Sequence, residues 1–165
     1  MDDFFKFNNI NFDKLTETYG FSFYLSYMVN WPEYFQVLEH PTGRLMGYIM
    51  GKAEGRGTDW HGHVTALSIA PEFRRLGLAG QLMANLEEIS DSKKCYFVDL
   101  FVRVGNEVAF KLYEALGYIV YRRIINYYGG EKEEDAFDMR KACSADVNRE
   151  SVVPIPHPVS ADNIY

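Results

Sequence analysis

From residue 61 to residue 80 the chain reads HGHVTALSIAPEFRRLGLAG, and this run restricts what can surround it. Residues 61–70 suit a strand, Pro71 stops the ladder because it has no N–H to donate, and Leu78, Leu82, Leu86 and Ile89 then recur at helical spacing, opposite Gln81, Asn85 and Glu88. A strand that turns directly into an amphipathic helix commits the domain to an α/β arrangement with that helix packed on a sheet. The turn, Arg74-Arg75-Leu76-Gly77-Leu78-Ala79-Gly80, joins two cations to small residues at a helix start. Backbone N–H groups exposed at such a place form a cradle for phosphate.

The remainder of the chain is consistent with one domain. With 165 residues, 47% hydrophobic and 16% aromatic, it has enough apolar surface to fill a core. A formal charge of -6 argues against a nucleic-acid-binding face, so anionic ligands must be captured locally, around Arg74 and Arg75. Cys95 and Cys143 have no metal-ligand spacing and suggest no disulfide framework. No apolar run approaches the roughly 20 residues of a membrane span, and the opening Met-Asp-Asp-Phe-Phe lacks a basic signal-peptide start; a cytoplasmic protein without membrane contact is expected.

Residues 2–7 read as a short helix capped by Asp2 and Asp3, and residues 21–29 as a second helix after a polar loop. Strands are expected at 34–39 and 45–53, joined by Pro41-Thr42-Gly43. Residues 95–104 suit a strand buried on both faces beside a parallel neighbour. Asn106 caps a helix to Leu116 and Gly117 ends it. A strand at 118–128, a solvated acidic loop at 129–135 and a short antiparallel strand at 136–141 follow. Residues 1–143 are thus the domain, and 144–165, with Pro154, Pro156 and Pro158, an extended tail. His61, His63, Thr65, Leu67 and Ile69 share one strand face by period-two alternation, and with no third ligand at compatible spacing the two histidines imply no metal site.

Val64 to Ala79 resembles motif A of the Gcn5-related N-acetyltransferases, with the R-x-x-G-x-A turn that holds the pyrophosphate of acetyl-CoA. The resemblance implies a central mixed twisted sheet flanked by helices. It implies that Leu67, Ser68 and Ile69 pair through their backbone with the pantetheine arm while Arg74, Arg75, Leu76, Gly77, Leu78, Ala79 and Gly80 bind the diphosphate. Leu100 to Arg103 with Asn106, Ala109, Tyr113, Leu116 and Gly117 resembles motif B, in which Asn106 and Tyr113 approach the cofactor sulfur and Tyr113 serves as acid for the departing thiolate. Spacing alone also permits Asn106 as a plain N-cap and Tyr113 as a buried aromatic.

Asn8 to Asn11, Leu15 to Gly20, Trp31 to Tyr34, Gly47 to Gly51 and the Pro-His-Pro tail extend the resemblance to the catalytic subunits of N-terminal acetyltransferase B. That likeness implies acetyl transfer to the α-amine of nascent chains starting Met-Asp, Met-Glu, Met-Asn or Met-Gln, and a large helical-repeat auxiliary subunit that anchors the enzyme at the ribosome. It places Glu17 and Tyr19 in the loop shaping the peptide site, Phe101 in the methionine pocket, His63 and Thr65 at the second residue, and Tyr127 and Tyr128 over the peptide backbone. Glu17 or His63 is the expected proton acceptor, by way of a water. The sequence departs from the family in lacking the usual first edge strand and in Gly105, where serine is usual. Its own Met1-Asp2 is a substrate-type terminus. A lysine or small-amine acetyltransferase on the same fold, or a non-catalytic acyl-CoA-binding scaffold, are the other readings.

Overall fold

The computed structural model describes residues 19–130 and 133–164; the expected helix at 2–7, the expected lack of a first edge strand and Glu17 lie outside the described residues. Among the described residues three α-helices and seven strands are found: α1 Phe21–Asn30, β1 Phe35–Glu39, β2 Leu45–Glu54, β3 His61–Ile69, α2 Leu78–Ser92, β4 Phe97–Arg103, α3 Glu107–Ala115, β5 Ile119–Tyr128, β6 Glu134–Ala142 and β7 Val159–Ser160. Along the sheet the strands follow the order β1-β2-β3-β4-β6-β5-β7. Two compact units divide the chain, one holding the residues up to Ala53 with Val64–Ile89, the other Glu54–His63 with Ser90 onward.

In the first unit α1 has no side-chain N-cap, only Gly20, so aromatic spacing sustains it. Phe23 and Tyr27, four residues apart, meet at a ring-centroid distance of 5.0 Å. Tyr24 and Tyr27 are buried in one cluster with Leu45, Tyr48, Met50 and Ala70. Pro32 has no N–H to continue the helix, and the chain takes one 3-10 turn over Pro32–Tyr34, which delays the expected strand by one residue. β1 and β2 pair antiparallel from Phe35↔Met50 to Glu39↔Leu45. Their turn closes with the Gly43 N–H donating to the His40 carbonyl at 2.8 Å, and Gly43 takes a φ of 85° that suits glycine. On α2, Leu82, Met83 and Leu86 are buried, so the predicted apolar stripe is the packed face.

In the second unit β6 pairs antiparallel with β4 on one side and with β5 on the other, and β5 pairs parallel with β7. The sheet is mixed, as expected. The acidic loop is a correction: Glu134 and Asp135 begin β6 and are held rather than merely solvated. Glu134 accepts from the Gly105 N–H at 2.8 Å and from Arg103, and Asp135 accepts from Arg123 and from the Asn126 N–H. The Asn126 bond and its φ of 52° mark a register shift in β5 between Ile124 and Tyr128. Beyond Cys143 the chain, expected to be extended, makes specific bonds. The Ile155 N–H donates to the Tyr121 carbonyl at 2.7 Å, and Asp146 accepts from the Glu150 N–H, the Ser151 N–H and the Ser151 hydroxyl. Burial opposes the Asp146 charge, yet the bonds from Ser151 and Glu150 outweigh it and hold the carboxyl below its ordinary range.

Two stability predictions follow from these contacts. A Cβ on Gly47 would lie 2.8 Å from the Ser68 carbonyl oxygen and 2.5 Å from Ile69 Cδ1; backbone cannot yield there, so Gly47→Ala should cost ~1–3 kcal/mol in chemical denaturation. Asp146→Ala should cost ~1–2 kcal/mol at neutral pH. Because the folded carboxyl is depressed, that contribution is complete above the unfolded value near 3.9 and fades as pH falls through the folded one, so melts of the two proteins should converge in acid.

Candidate active site

The strand-turn-helix segment keeps the geometry its composition suggests. After β3 a 3-10 turn at Pro71–Phe73 leads into Arg74, whose Nε donates to the Ile69 carbonyl at 3.2 Å. Arg75 and Gly77 both adopt positive φ, 62° and 75°, and Arg74 to Gly77 are exposed. Alternation of this kind turns successive N–H groups toward one concavity, a nest for an anion. A Cβ on Gly77 would meet nothing within 4 Å, so the cradle is open, and the first N–H groups of the 15-residue α2 lack intrahelical acceptors. This site fits a diphosphate. Leu67, Ser68 and Ile69 form the last residues of β3 immediately before it.

The same unit gathers three hydroxyl-bearing residues. Tyr19 donates to the Thr65 carbonyl at 3.4 Å, and Thr65 Oγ1 donates to the Tyr27 hydroxyl at 2.8 Å. Tyr19 stacks on Phe23 at 4.5 Å. Tyr27 belongs to no motif; only its helical spacing from Tyr24 and Phe23 marks it as inward-facing.

In the second unit the other peptide-site candidates touch one another. The His63 ring meets Phe101 edge-on at 5.3 Å, Phe101 meets Tyr127 at 4.9 Å, and Tyr127 meets Tyr128 at 5.0 Å. Tyr128 donates its hydroxyl to the Phe101 carbonyl at 3.3 Å and lies beneath the Arg103 guanidinium at 4.0 Å. The register shift at Asn126 falls directly before the two tyrosines. These four residues form an aromatic wall carrying one imidazole.

Behind that wall lies a carboxylate that motif matching misses. His63 Nδ1 is 2.7 Å from Asp99 Oδ1, while His61 Nε2 is 3.7 Å from Asp99 Oδ2 and 3.8 Å from Glu54 Oε1. Burial raises the energy of the Asp99 charge, but the His63, His61 and Arg140 groups outweigh it and keep the carboxyl below its usual range. An acidic residue inside an apolar strand was the available signal, since a buried charge requires partners. The two histidines expected on one face are therefore brought together by Asp99. Among the described residues no group of three or more His, Cys, Asp or Glu side chains has a metal-binding arrangement.

Asn106 and Tyr113 lie along α3. Asn106 Oδ1 accepts from the Ala109 N–H at 3.2 Å; the oxygen thus caps the helix. Gly117, with φ of 93°, ends the helix, and the Tyr118 N–H returns to the Tyr113 carbonyl at 3.0 Å. Tyr113 meets Tyr118 edge-on at 6.1 Å. Burial pushes its phenol up to about 12.

Comparison with known proteins agrees with this arrangement. The model of the acetyltransferase (GNAT) family matches residues 2–118. The N-terminal acetyltransferase B complex catalytic subunit NAA20 of Arabidopsis thaliana is 55% identical over 163 residues, covering 98% of this chain and 92% of the relative. Naa20 of Chaetomium thermophilum, in a crystal structure with a bisubstrate analogue, superposes with a TM-score of 0.93 at 39% identity, covering 99% of this chain and 95% of that one. A NatB acetyltransferase complex bound to CoA and MES contains a chain with a TM-score of 0.78 at 42% identity, covering 86% and 94% respectively. The open nest at Arg75 and Gly77, the capped helix carrying Tyr113 and this near end-to-end likeness lead to one conclusion: the chain belongs to the acetyltransferase (GNAT) family, as an acyltransferase that uses acetyl-CoA and a homologue of N-terminal acetyltransferase B catalytic subunits.

Proposed function

We propose that this chain acetylates the N-terminal α-amine of nascent proteins that begin Met-Asp, Met-Glu, Met-Asn or Met-Gln, in the cytoplasm, together with a large helical-repeat auxiliary subunit that holds it at the ribosome. The observation that carries the reading is the His63-Phe101-Tyr127-Tyr128 contact chain. An unbranched thioether packs well on an aromatic wall, and an acid or amide on the next residue is the group that an imidazole and the Thr65 hydroxyl recognise. The identity to the Arabidopsis catalytic subunit supports the same assignment.

Each residue then has a defined task. The N–H groups around Gly77 and at the start of α2 hold the diphosphate, with Arg74 and Arg75 adding local positive charge. Main-chain groups of Leu67, Ser68 and Ile69 align the pantetheine arm. When bound, acetyl-CoA supplies the acetyl group as a thioester. Glu17 and Tyr19 shape the peptide site, and Tyr127 and Tyr128 cover the peptide backbone. A water relayed through Glu17 or His63 accepts the amine proton. The demand on that base is modest, because an α-amine titrates near 7.7–8. Asn106 and Tyr113 serve the sulfur, where the Tyr113 hydroxyl donates a hydrogen bond as negative charge develops.

A panel of free peptides tests the specificity. Met-Asp and Met-Asn peptides should release CoA, a Met-Leu peptide should be worse by roughly 10- to 100-fold because a polar group in the site goes unpaired, and an N-blocked lysine peptide should be inert; rapid acetylation of the lysine would refute the assignment. Tyr113→Phe should lower kcat on the Met-Asp peptide by roughly 100-fold while acetyl-CoA affinity holds. The protonated phenol is the working form and is lost as pH rises through its own value. With that value pushed up to about 12, the wild-type kcat should show no decline attributable to Tyr113 anywhere up to pH ~10.

A further inference from the structure

The Asp99 carboxylate has no part in the roles assigned above, yet it is the most elaborately partnered buried acid near the peptide-site residues. Its side chain is 6% exposed, beside His63 at 11% and His61 at 7%. Oδ1 takes the short contact with His63 Nδ1 and Oδ2 faces His61 Nε2. His61 is in turn fixed by the Asp59 carbonyl at its Nδ1, 2.5 Å away, and stacks on Phe97 at 4.7 Å. The other charged groups facing this cluster are Glu54, beside His61, and on β6 Arg140, opposite Asp99 in the register, with its neighbour Asp138.

We propose that Asp99 is a positioning residue that sets which second-residue side chains the peptide site accepts, by fixing the tautomer of His63. An ionised carboxylate is an acceptor only, so the nitrogen it touches must carry hydrogen. The His63 ring therefore donates Nδ1–H to Asp99, and Nε2 is the nitrogen left to meet the second residue. In the neutral ring so fixed, Nε2 is a bare lone pair that accepts from the amide of Met-Asn or Met-Gln and faces a carboxylate as acceptor against acceptor; the other tautomer presents Nε2–H, which donates to the carboxylate of Met-Asp or Met-Glu as well as to an amide oxygen. One buried oxygen thus sets the balance between acidic and amide second residues. This rests on the substrate class proposed above, with Glu17 as the residue that relays the amine proton because Nε2 of His63 is committed to the second residue, and adds to it the atom that sorts the two kinds of substrate.

The test is the ratio of kcat/KM for a Met-Asp peptide to that for a Met-Asn peptide, measured in the assembly in which the wild type turns over. Effects on the α-amine, the cofactor and global stability cancel in this ratio. Asp99→Asn, whose amide can donate to Nδ1 and release the tautomer, should raise the ratio about tenfold, as a hydrogen bond replaces a clash of acceptors. His61→Gln, which leaves Oδ1 on His63, should hold the ratio within about twofold of the wild type. A ratio unchanged in Asp99→Asn overturns the proposal. Should Asp99→Asn fail to fold, nitrogen-15 NMR of the wild-type imidazoles decides instead: a neutral His63 with hydrogen on Nδ1 upholds it, and hydrogen on Nε2 overturns it. Absence of turnover on both peptides would instead refute the substrate class itself.

Discussion

A carboxylate in the middle of a buried strand has to be compensated, and the compensation of Asp99 organises much of what surrounds it. Isolated burial of an ionised acid would cost several kcal/mol, so the position is tolerable only because two imidazoles and a guanidinium converge on it. The convergence fixes His61 and His63 on the strand before it and puts Arg140 opposite in the register of β6. Arg140 is itself held flat between Tyr121 at 3.5 Å and Phe97 at 4.2 Å, and its neighbour Asp138, raised by burial and by Asp99, is answered by Arg122 at 2.8 Å. Polar contacts of this kind tolerate little slippage. A one-residue shift of β6 would send Arg140 to the opposite face and leave Asp99 without that cation.

The turn at 74–80 rests on a different kind of chemistry. Its donors are backbone N–H groups aimed by positive φ at Arg75 and Gly77 and by the start of α2, so an anion seated there is held by conformation more than by side-chain identity. The aromatic wall is the reverse. His63, Phe101, Tyr127 and Tyr128 act through rings whose edges and faces must meet, and Asn126 supplies the backbone irregularity just before the two tyrosines. In the proposed assignment different atoms of the chain carry cofactor and acceptor, so a fold of this kind can keep the one while changing the other.

What was legible in the sequence was what depends on neighbours along the chain. Asn106 and Gly117 bracket α3 because capping is decided within a turn; the β1–β2 hairpin follows from Gly43; and the turn at 74–80 is written in consecutive residues. What was obscured depends on partners far away in sequence. Glu134 and Asp135 look like a solvated charge run until Arg103, Gly105, Arg123 and Asn126 are seen to claim them. The insertion of β6 between β4 and β5 has no local sign, and Tyr27 carries no motif. Asp99 is the instructive case: it passed unremarked inside an apolar strand, and its partners, His61 and His63, lie more than thirty-five residues earlier.

The double use of Asp99 constrains how specificity can change in such a protein. A residue that both compensates a buried cluster and fixes a recognition tautomer cannot be altered for one purpose alone: substituting it strands His61, His63 and Arg140 around a vacancy in charge, and the loss of stability accompanies any shift in preference. Phe101 and Thr65 have fewer obligations. Phe101 contributes a ring to the wall without a charge to balance, and Thr65 is tied to Tyr27 and Tyr19 by single neutral bonds, each worth about 1 kcal/mol. In the proposed assignment changes of acceptor preference are accordingly cheapest at the wall and the threonine, while the carboxylate stays fixed because the fold depends on it.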